Sequence, residues 1–429
     1  MNKRSCFFLL LLLITLTAPG SAEAQFWKKI FGKEEPKRKP VKKAPVNNTA
    51  AAKPKPVKKQ QVDYPATVTK KRYRIDVLLP LYLDELVQGD KPVFKDKVPD
   101  KAAAGISFYE GVRLAADTLD PHFYKVDVYI HDIGEAGNSP EQLIKTKKLD
   151  SSDLLIGGVP TAEVPMLAAF AKKQKVNFIS VFSPSDGGVK DNPYFTLLQP
   201  SLQTNCEWLR TAINKKYQRQ KVVLYERPSV PVDASAYKYF AQGDDKPYQK
   251  INCNALPAAA QLRAAFDSTH TNVIVMPVLD VAYAESLLEQ LYKLFPTYNF
   301  EVYGMPSWKG MNALKKADAF PNIAVFYTTP FYYDATTSAG QAVAGSFHRE
   351  FNGKPSELVY RGYETLNWYA YLLMKYGTVF NTKMNDNGAA PFTRFEVKPQ
   401  WTADNDLLYN ENMHVYLYRY QSGSYMVEQ

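Results

Sequence analysis

"DLLIGGVPTAEVPMLAAFAKKQKVNFISVFS", residues 153–183, holds two short apolar runs with one amphipathic stretch between them. The outer runs, "DLLIGG" (153–158) and "VNFISVFS" (176–183), have the length of buried strands. The segment between them repeats its apolar residues at helical spacing. Strand, helix and strand in that order make one βαβ unit, whose strands must pair in parallel because the crossover helix carries the chain back over the sheet.

The same alternation extends in both directions. Upstream, "RIDVLLPLY" (74–82) reads as a strand, "GISFYEGVRLAADTL" (105–119) as a helix, "KVDVYIHD" (125–132) as a strand, and "SPEQLIKTKKL" (139–149) as a helix opened by Ser139 and Pro140. Downstream of "YFTLLQPS" (194–201) the alternation restarts. Strands at "KVVLYE", "YQKINC", "NVIVMPV", "FEVYGMP" and "IAVFYTTPF" are interleaved with helices at "TNCEWLRTAINKKY", "VDASAYKYFA", "LPAAAQLRAAFDS" and "AYAESLLEQLYKLF". The fold class is therefore α/β: two doubly wound parallel-sheet lobes, one after the other. A further helical segment spans 340–377, and the C-terminus ends as an antiparallel pair of strands. With 429 residues, 45% of them hydrophobic, the chain can build both cores.

Ahead of the lobes lie two attachments. "MNKRSCFFLLLLLITLTAPGSAEAQ" begins with Lys3 and Arg4, continues apolar from Cys6 to Leu16, and offers Ala22-Glu23-Ala24 for cleavage. It reads as a secretory signal, residues 1–24, whose apolar run is shorter than the roughly 20 residues that span a bilayer. Cys6 precedes the apolar core, so there is no lipobox at the cleavage site, and the mature protein is expected in the periplasm. Residues 25–72 read as a disordered Lys/Pro-rich linker. From Trp27 to Arg72 there are 15 Lys and Arg against three acids, too little apolar surface to offset the entropy of ordering. The formal net charge of +10 is concentrated there and the folded remainder is mildly acidic, which argues against a nucleic-acid partner. The tail is suited to an anionic cell wall or membrane surface.

Chemistry at the corner "IGGVPTAE" is limited by what it lacks. A phosphate loop needs a lysine and hydroxyl after its second glycine, a dinucleotide site needs G-x-G-x-x-G, and a nucleophile elbow needs G-x-S-x-G. None fits. His122, His131, His270, His348 and His414 show no metal-ligand spacing. The chain is read as a non-enzyme with no catalytic residue, cofactor or metal. Cys206 and Cys253 remain after signal removal, an even pair in an oxidising compartment. Two readings stand: a disulfide worth on the order of 4 kcal/mol in the chain-entropy model, or two buried thiols.

Taken in order, "FYEGVRLAADTL", "HDIGE", "IGGVPTAEVPMLAAFA", "NPYFTLLQPS" and "RGYETLNWYAYLL" resemble the type I periplasmic binding proteins. The likeness is to the leucine/isoleucine/valine-binding branch that serves ABC transporters, and it covers nearly all of 73–429. It implies two lobes joined by three crossovers, the first from 73–201 plus 338–383 and the second from 202–337 plus 384–429. It also implies a small-molecule ligand, amino-acid-like or a small anion, bound in an interlobe cleft and passed to an ABC permease. On the first lobe the ligand-binding residues it points to are Thr161, as a helix cap, with Ser183, Ser185 and Tyr82. On the second they are Arg227, Asp280, Tyr283 and Ser307, with Trp308 beside them. The alternative is a cell-envelope interaction protein that keeps the fold, leaves the cleft degenerate and uses the basic tail as a tether.

Overall fold

The computed structural model describes residues 62–89, 91–95, 97–242 and 248–428. The expected signal segment and the tail before residue 62 lie outside the described residues.

The chain opens with β1 (Tyr73–Leu79), a short helix α1 (Leu83–Leu86) and a small hairpin, β2 (Val87–Gln88) and β3 (Lys91–Pro92). There follow α2 (Asp100–Thr118), β4 (Val126–Asp132), α3 (Pro140–Lys145), β5 (Leu154–Gly157), α4 (Val164–Gln174), β6 (Asn177–Ser180) and β7 (Phe195–Leu197). The second lobe runs through α5 (Leu202–Lys216), β8 (Val222–Glu226), α6 (Pro231–Ala241), β9 (Gln249–Asn252), α7 (Ala259–Ala265), β10 (Asn272–Val275), α8 (Val281–Leu294), β11 (Phe300–Tyr303) and β12 (Ile323–Thr329). Helices α9 (Ser338–Phe351) and α10 (Glu357–Tyr376) follow. Strands β13 (Val397–Trp401), β14 (Leu407–Asn412), β15 (Tyr416–Gln421) and β16 (Ser424–Glu428) end the chain.

Two seven-stranded sheets result, in the orders β13-β14-β7-β6-β5-β1-β4 and β16-β15-β12-β11-β10-β8-β9. All strands from β4 to β14 of the first sheet are parallel to their neighbours, as are those from β9 to β12 of the second. Such sheets bury both faces, which is why their strands read as continuous apolar runs. On β1, Ile75, Val77 and Leu79 face a core shared with Phe108, Leu366 and Tyr369 of α2 and α10. Leu78 faces the opposite core with Leu143, Leu155 and Leu167. That opposite face also buries Asp76. Burial alone would raise its carboxyl, but hydrogen bonds from His131, Arg74 and Ser152 outweigh this and hold it below the usual range.

Several expectations are corrected. The helical stretch 340–377 is two helices, separated where Asn352 takes a left-handed φ of 52°. The C-terminus is not one antiparallel pair but two. β13 and β14 join the first sheet, with β14 parallel to β7, although residues beyond 384 were assigned to the second lobe. Only β15 and β16 extend the second sheet. The last residues of the expected disordered linker are seated on the first lobe. Tyr64 meets Tyr194 edge-on, Thr67 and Val68 exchange hydrogen bonds with Tyr376, Thr378 and Val379, and Lys70 pairs with the buried Asp153. One tyrosine and these backbone bonds offset the ordering cost that the charge pattern alone suggested could not be met. Cys206 and Cys253 are unbridged. The Cys206 thiol lies on α5 against Met305 Sδ, and that of Cys253 donates to the Glu226 carbonyl at 3.4 Å; burial pushes both thiols up, Cys253 to about 12.

The return of α10 to the first lobe depends on two glycines. A Cβ on Gly111 of α2 would lie 2.0 Å from the Val359 carbonyl oxygen, and one on Gly362 of α10 would lie 2.1 Å from the Phe108 carbonyl oxygen. Only hydrogen fits at either crossing point. Gly111→Ala must force the helices apart, so despite its better helix propensity it is expected to destabilise by about 2–4 kcal/mol in denaturant titration. Gly345→Ala on α9, whose Cβ would meet only the Arg349 side chain at 3.5 Å, should be neutral or mildly stabilising in the same assay. Beside Gly111, Glu110 is 4% exposed; burial first, and the nearby Glu350 second, push its carboxyl up to about 8. A carboxyl with a raised folded-state pKa contributes stability that is fully present below its unfolded pKa and is lost as pH rises through about 8. Wild-type stability relative to Glu110→Gln should therefore fall between about pH 5 and 8, by at most about 1.4 kcal/mol per pH unit.

Candidate functional site

In an open parallel sheet a crevice forms outside the carboxyl ends of strands whose connections run in opposite directions. In the first sheet that point is β1/β5, and in the second it is β8/β10. Tyr82 follows β1, Thr161 follows β5, Ser183 and Ser185 follow β6, Arg227 follows β8, Asp280 follows β10, and Ser307 and Trp308 follow β11. The structure joins Thr161, Ser183 and Ser185 on the first lobe and sets Arg227 against Tyr283 on the second, while Tyr82 packs with Gly134 and Lys101.

On the first lobe, Pro160 turns the chain into a single 3-10 turn, Thr161–Glu163, before α4 starts. Thr161 makes no cap hydrogen bond, contrary to expectation; its hydroxyl instead meets Ser183 Oγ at 2.9 Å. Ser183 is 2% exposed, donates to the Ser185 carbonyl at 3.0 Å and accepts from the Ser185 N–H at 3.1 Å. A hydroxyl has one proton, so all three contacts are met together when Thr161 is the donor to Ser183. The Thr161 oxygen then keeps a lone pair and has no proton to give. Ser185 Oγ accepts from the Gly187 N–H. In the same turn, Glu163 Oε2 is buried without a hydrogen-bond partner, and burial raises its carboxyl. Within this cluster Thr161 is left as an acceptor.

Tyr82 takes a left-handed φ of 56°, held because Asp132 accepts N–H bonds from Leu81, Tyr82, Leu83 and Gly134 at 2.7–2.9 Å. Its ring lies against Gly134 and under the Lys101 ammonium, 4.4 Å from the centroid. Tyr82 is brought to the strand end as a packed residue.

On the second lobe, Arg227 is drawn inward. Its guanidinium reaches Asp233 Oδ2 at 3.1 Å and stacks 3.8 Å from the Tyr283 ring centroid. Asp233 is 1% exposed and also accepts from the Leu279 N–H; burial raises its carboxyl more than Leu279 and Arg227 lower it. The Tyr283 hydroxyl donates to the Cys253 carbonyl. Asp280 caps α8 through the N–H groups of Ala282 and Tyr283. Ser307 donates to the Leu279 carbonyl and the Trp308 indole to the Val278 carbonyl, both side chains buried. Asp233 escaped the sequence reading, although "RPSVPVD" places an acid in the first turn after a strand-end arginine.

Two residues that tie the lobes were also missed. Lys309, just after β11, pairs with Glu357 at the start of α10, the side chains 22% and 12% exposed. Arg361 of α10 donates to the Val181 carbonyl and to Gln199, and lies 3.7 Å from the Phe331 ring centroid, so it touches the first and second crossovers at once. Among the described residues, no group of three or more His, Cys, Asp or Glu is placed to hold a metal ion.

Arg227→Ala tests whether the arginine is structural. With Asp233 left buried and unpaired, the variant should lose about 3–5 kcal/mol in denaturant titration. A surface arginine would cost under about 0.5 kcal/mol.

No protein-family model matches the chain, and no curated protein sequence does. Solved structures do match. An ABC transporter substrate-binding protein from Desulfitobacterium hafniense, in complex with Leu, superposes with a TM-score of 0.52 at 14% identity over 83% of this chain and 100% of that one. A putative branched-chain amino acid ABC transporter protein from Rhodospirillum rubrum gives 0.57 at 11% identity, over 83% and 100%. LpoA from Haemophilus influenzae gives 0.53 at 14%, over 84% of this chain and 60% of that longer protein. Paired seven-stranded sheets joined by three crossovers, with this likeness over more than four-fifths of its length, give the chain the fold of the type I periplasmic binding proteins.

Proposed function

We propose that the chain is an exported, non-enzymatic solute-binding protein that closes its lobes on a small polar ligand and presents it to an ABC-type permease. The observation that carries this reading is the Thr161–Ser183 hydroxyl pair at the crevice of the first sheet. Because Thr161 offers a lone pair there, the ligand that fits brings a donor to the first lobe. An amino-acid-like ammonium meets that need better than a bare anion. Arg227, the cation an anion would seek, is already committed to Asp233.

A second reading has its own support. Arg227, Ser307 and Trp308 each turn a hydrogen bond into the second lobe, as expected of an envelope interaction protein whose cleft has closed over and whose basic tail tethers it to an anionic wall or membrane surface.

A thermal-shift screen of amino acids, short peptides and small anions separates the two. A ligand at about 100 times its Kd should stabilise the chain by roughly 2.7 kcal/mol, and Thr161→Val should weaken that ligand at least about tenfold. If no compound shifts the wild-type chain, the receptor reading falls and the tether reading is left.

A further inference from the structure

At the C-terminal edge of the second sheet lies a groove of about 1480 Å³, lined by none of the ligand-binding residues expected from the sequence. Its floor is one face of the antiparallel strands β12, β15 and β16. The pairings Thr329↔Tyr416, Tyr327↔Tyr418 and Tyr418↔Val427 set these side chains on a common face. The turn at 312–316 covers one end of that face, where the hydroxyls of Tyr420 and Tyr425 donate to the Lys316 and Leu314 carbonyls. Trp208 of α5 and Tyr332 and Tyr333 of the second crossover form the walls.

The rings are held in place before anything binds. Tyr327 and Tyr418 stack at 5.9 Å and 10°, Tyr332 leans on Tyr416 at 5.4 Å and 32°, and Tyr333 stacks on Tyr360 at 4.4 Å and 17°. Tyr332, Tyr416 and Tyr418 are only partly buried, so ring surface remains for a ligand, and fixed rings cost little further entropy on binding.

Size, charge and backbone narrow the occupant. The volume exceeds the roughly 300–1,000 Å³ of a site for one small molecule, so an oligomeric ligand fits better than a monomer. The charged lining balances: Lys309, Lys315 and Arg394 stand against Asp334, Glu357 and Glu428. Lys309 and Glu357 moreover neutralise each other. Neither a polyphosphate nor a polycation is matched by such a lining. An extended peptide would seek backbone partners, but the faces of β12 and β15 have their main chain spent within the sheet and only the outer edge of β16 is left for one. What fits is a chain of amphipathic units, each with an apolar C–H face to lie on a ring and a rim of hydroxyls that both donate and accept.

We propose that this groove is a binding site for an uncharged saccharide chain, its sugar faces stacked on Tyr332, Tyr416 and Tyr418 and its hydroxyls bonded to Lys315, Asp334 and Arg394. The groove draws on the second sheet, the crossovers and the start of α10, and none of Thr161, Ser183 and Arg227 lines it, so it stands whether or not those residues take a ligand.

The test is calorimetric titration of the full chain with the β-1,4-linked hexamer of N-acetylglucosamine, alongside hydrogen exchange with and without it. The hexamer should bind at least tenfold tighter than the dimer and slow exchange at 327–335 and 414–428. Tyr332→Ala should weaken binding about tenfold or more, and Thr161→Val should leave it unchanged. Should Tyr332→Ala fail to fold, the exchange map of the wild-type chain decides. The proposal is overturned by no binding at millimolar hexamer, by protection elsewhere, by equal loss in Thr161→Val, or by stronger protection of these segments from an uncharged decapeptide.

Discussion

The two-lobed architecture depends on a backbone-to-backbone contact. Where α2 and α10 cross, Gly111 and Gly362 let each helix press against the main chain of the other, with carbonyl oxygens where a Cβ would otherwise be. This contact brings the chain back to the first lobe after the parallel strands of the second have been built. It fixes what sits next to it: Arg361 is set between two crossovers, and Glu364, whose carboxyl burial lifts to about 7, accepts the N–H groups of Phe392 and Thr393 at 2.7 Å each. From there the chain can place β13 and β14 on the first sheet and still return β15 and β16 to the second. At that last passage Glu411 accepts from the Ser201 N–H and the Thr204 hydroxyl, linking the first crossover to the third. The hinge region is a connected set of buried polar groups, each with a partner across a crossover.

The two lobes repeat one plan with different polar outcomes. Each ends its central strands at a crevice, yet the first lobe leaves an acceptor there, at Thr161, while the second turns its arginine, serine and tryptophan inward. The asymmetry follows from Asp233. A carboxylate buried at the start of α6 needs a cation, and Arg227 is the one within reach. The Lys309–Glu357 pair adds a tie between lobes that any opening motion would have to break.

Extra antiparallel strands at the edge of a parallel sheet create the second surface of interest. Helices of the βαβ units cover the faces of the parallel strands, but β15 and β16 arrive by hairpin and bring no helix with them. Part of one face is left bare, and tyrosines, half apolar and half polar, can line a surface that is neither core nor open solvent.

The sequence by itself determined the α/β class, the succession of two doubly wound lobes and the site of the first crossover, because strand length and helical periodicity are local and survive any rearrangement of distant parts. Even Thr161 and Ser183 were legible as neighbours of one crevice, since both follow parallel strands of the same sheet. Only the tertiary structure decided which groups were already taken: that Thr161 bonds to Ser183 instead of capping α4, that Arg227 serves Asp233, that Cys206 and Cys253 stay apart, and that 397–412 belongs to the first sheet. Each of these is a choice between partners distant in sequence or outside the local period, settled by burial. A buried polar group must be satisfied by whatever the fold brings near it, and a linear pattern does not record what that will be.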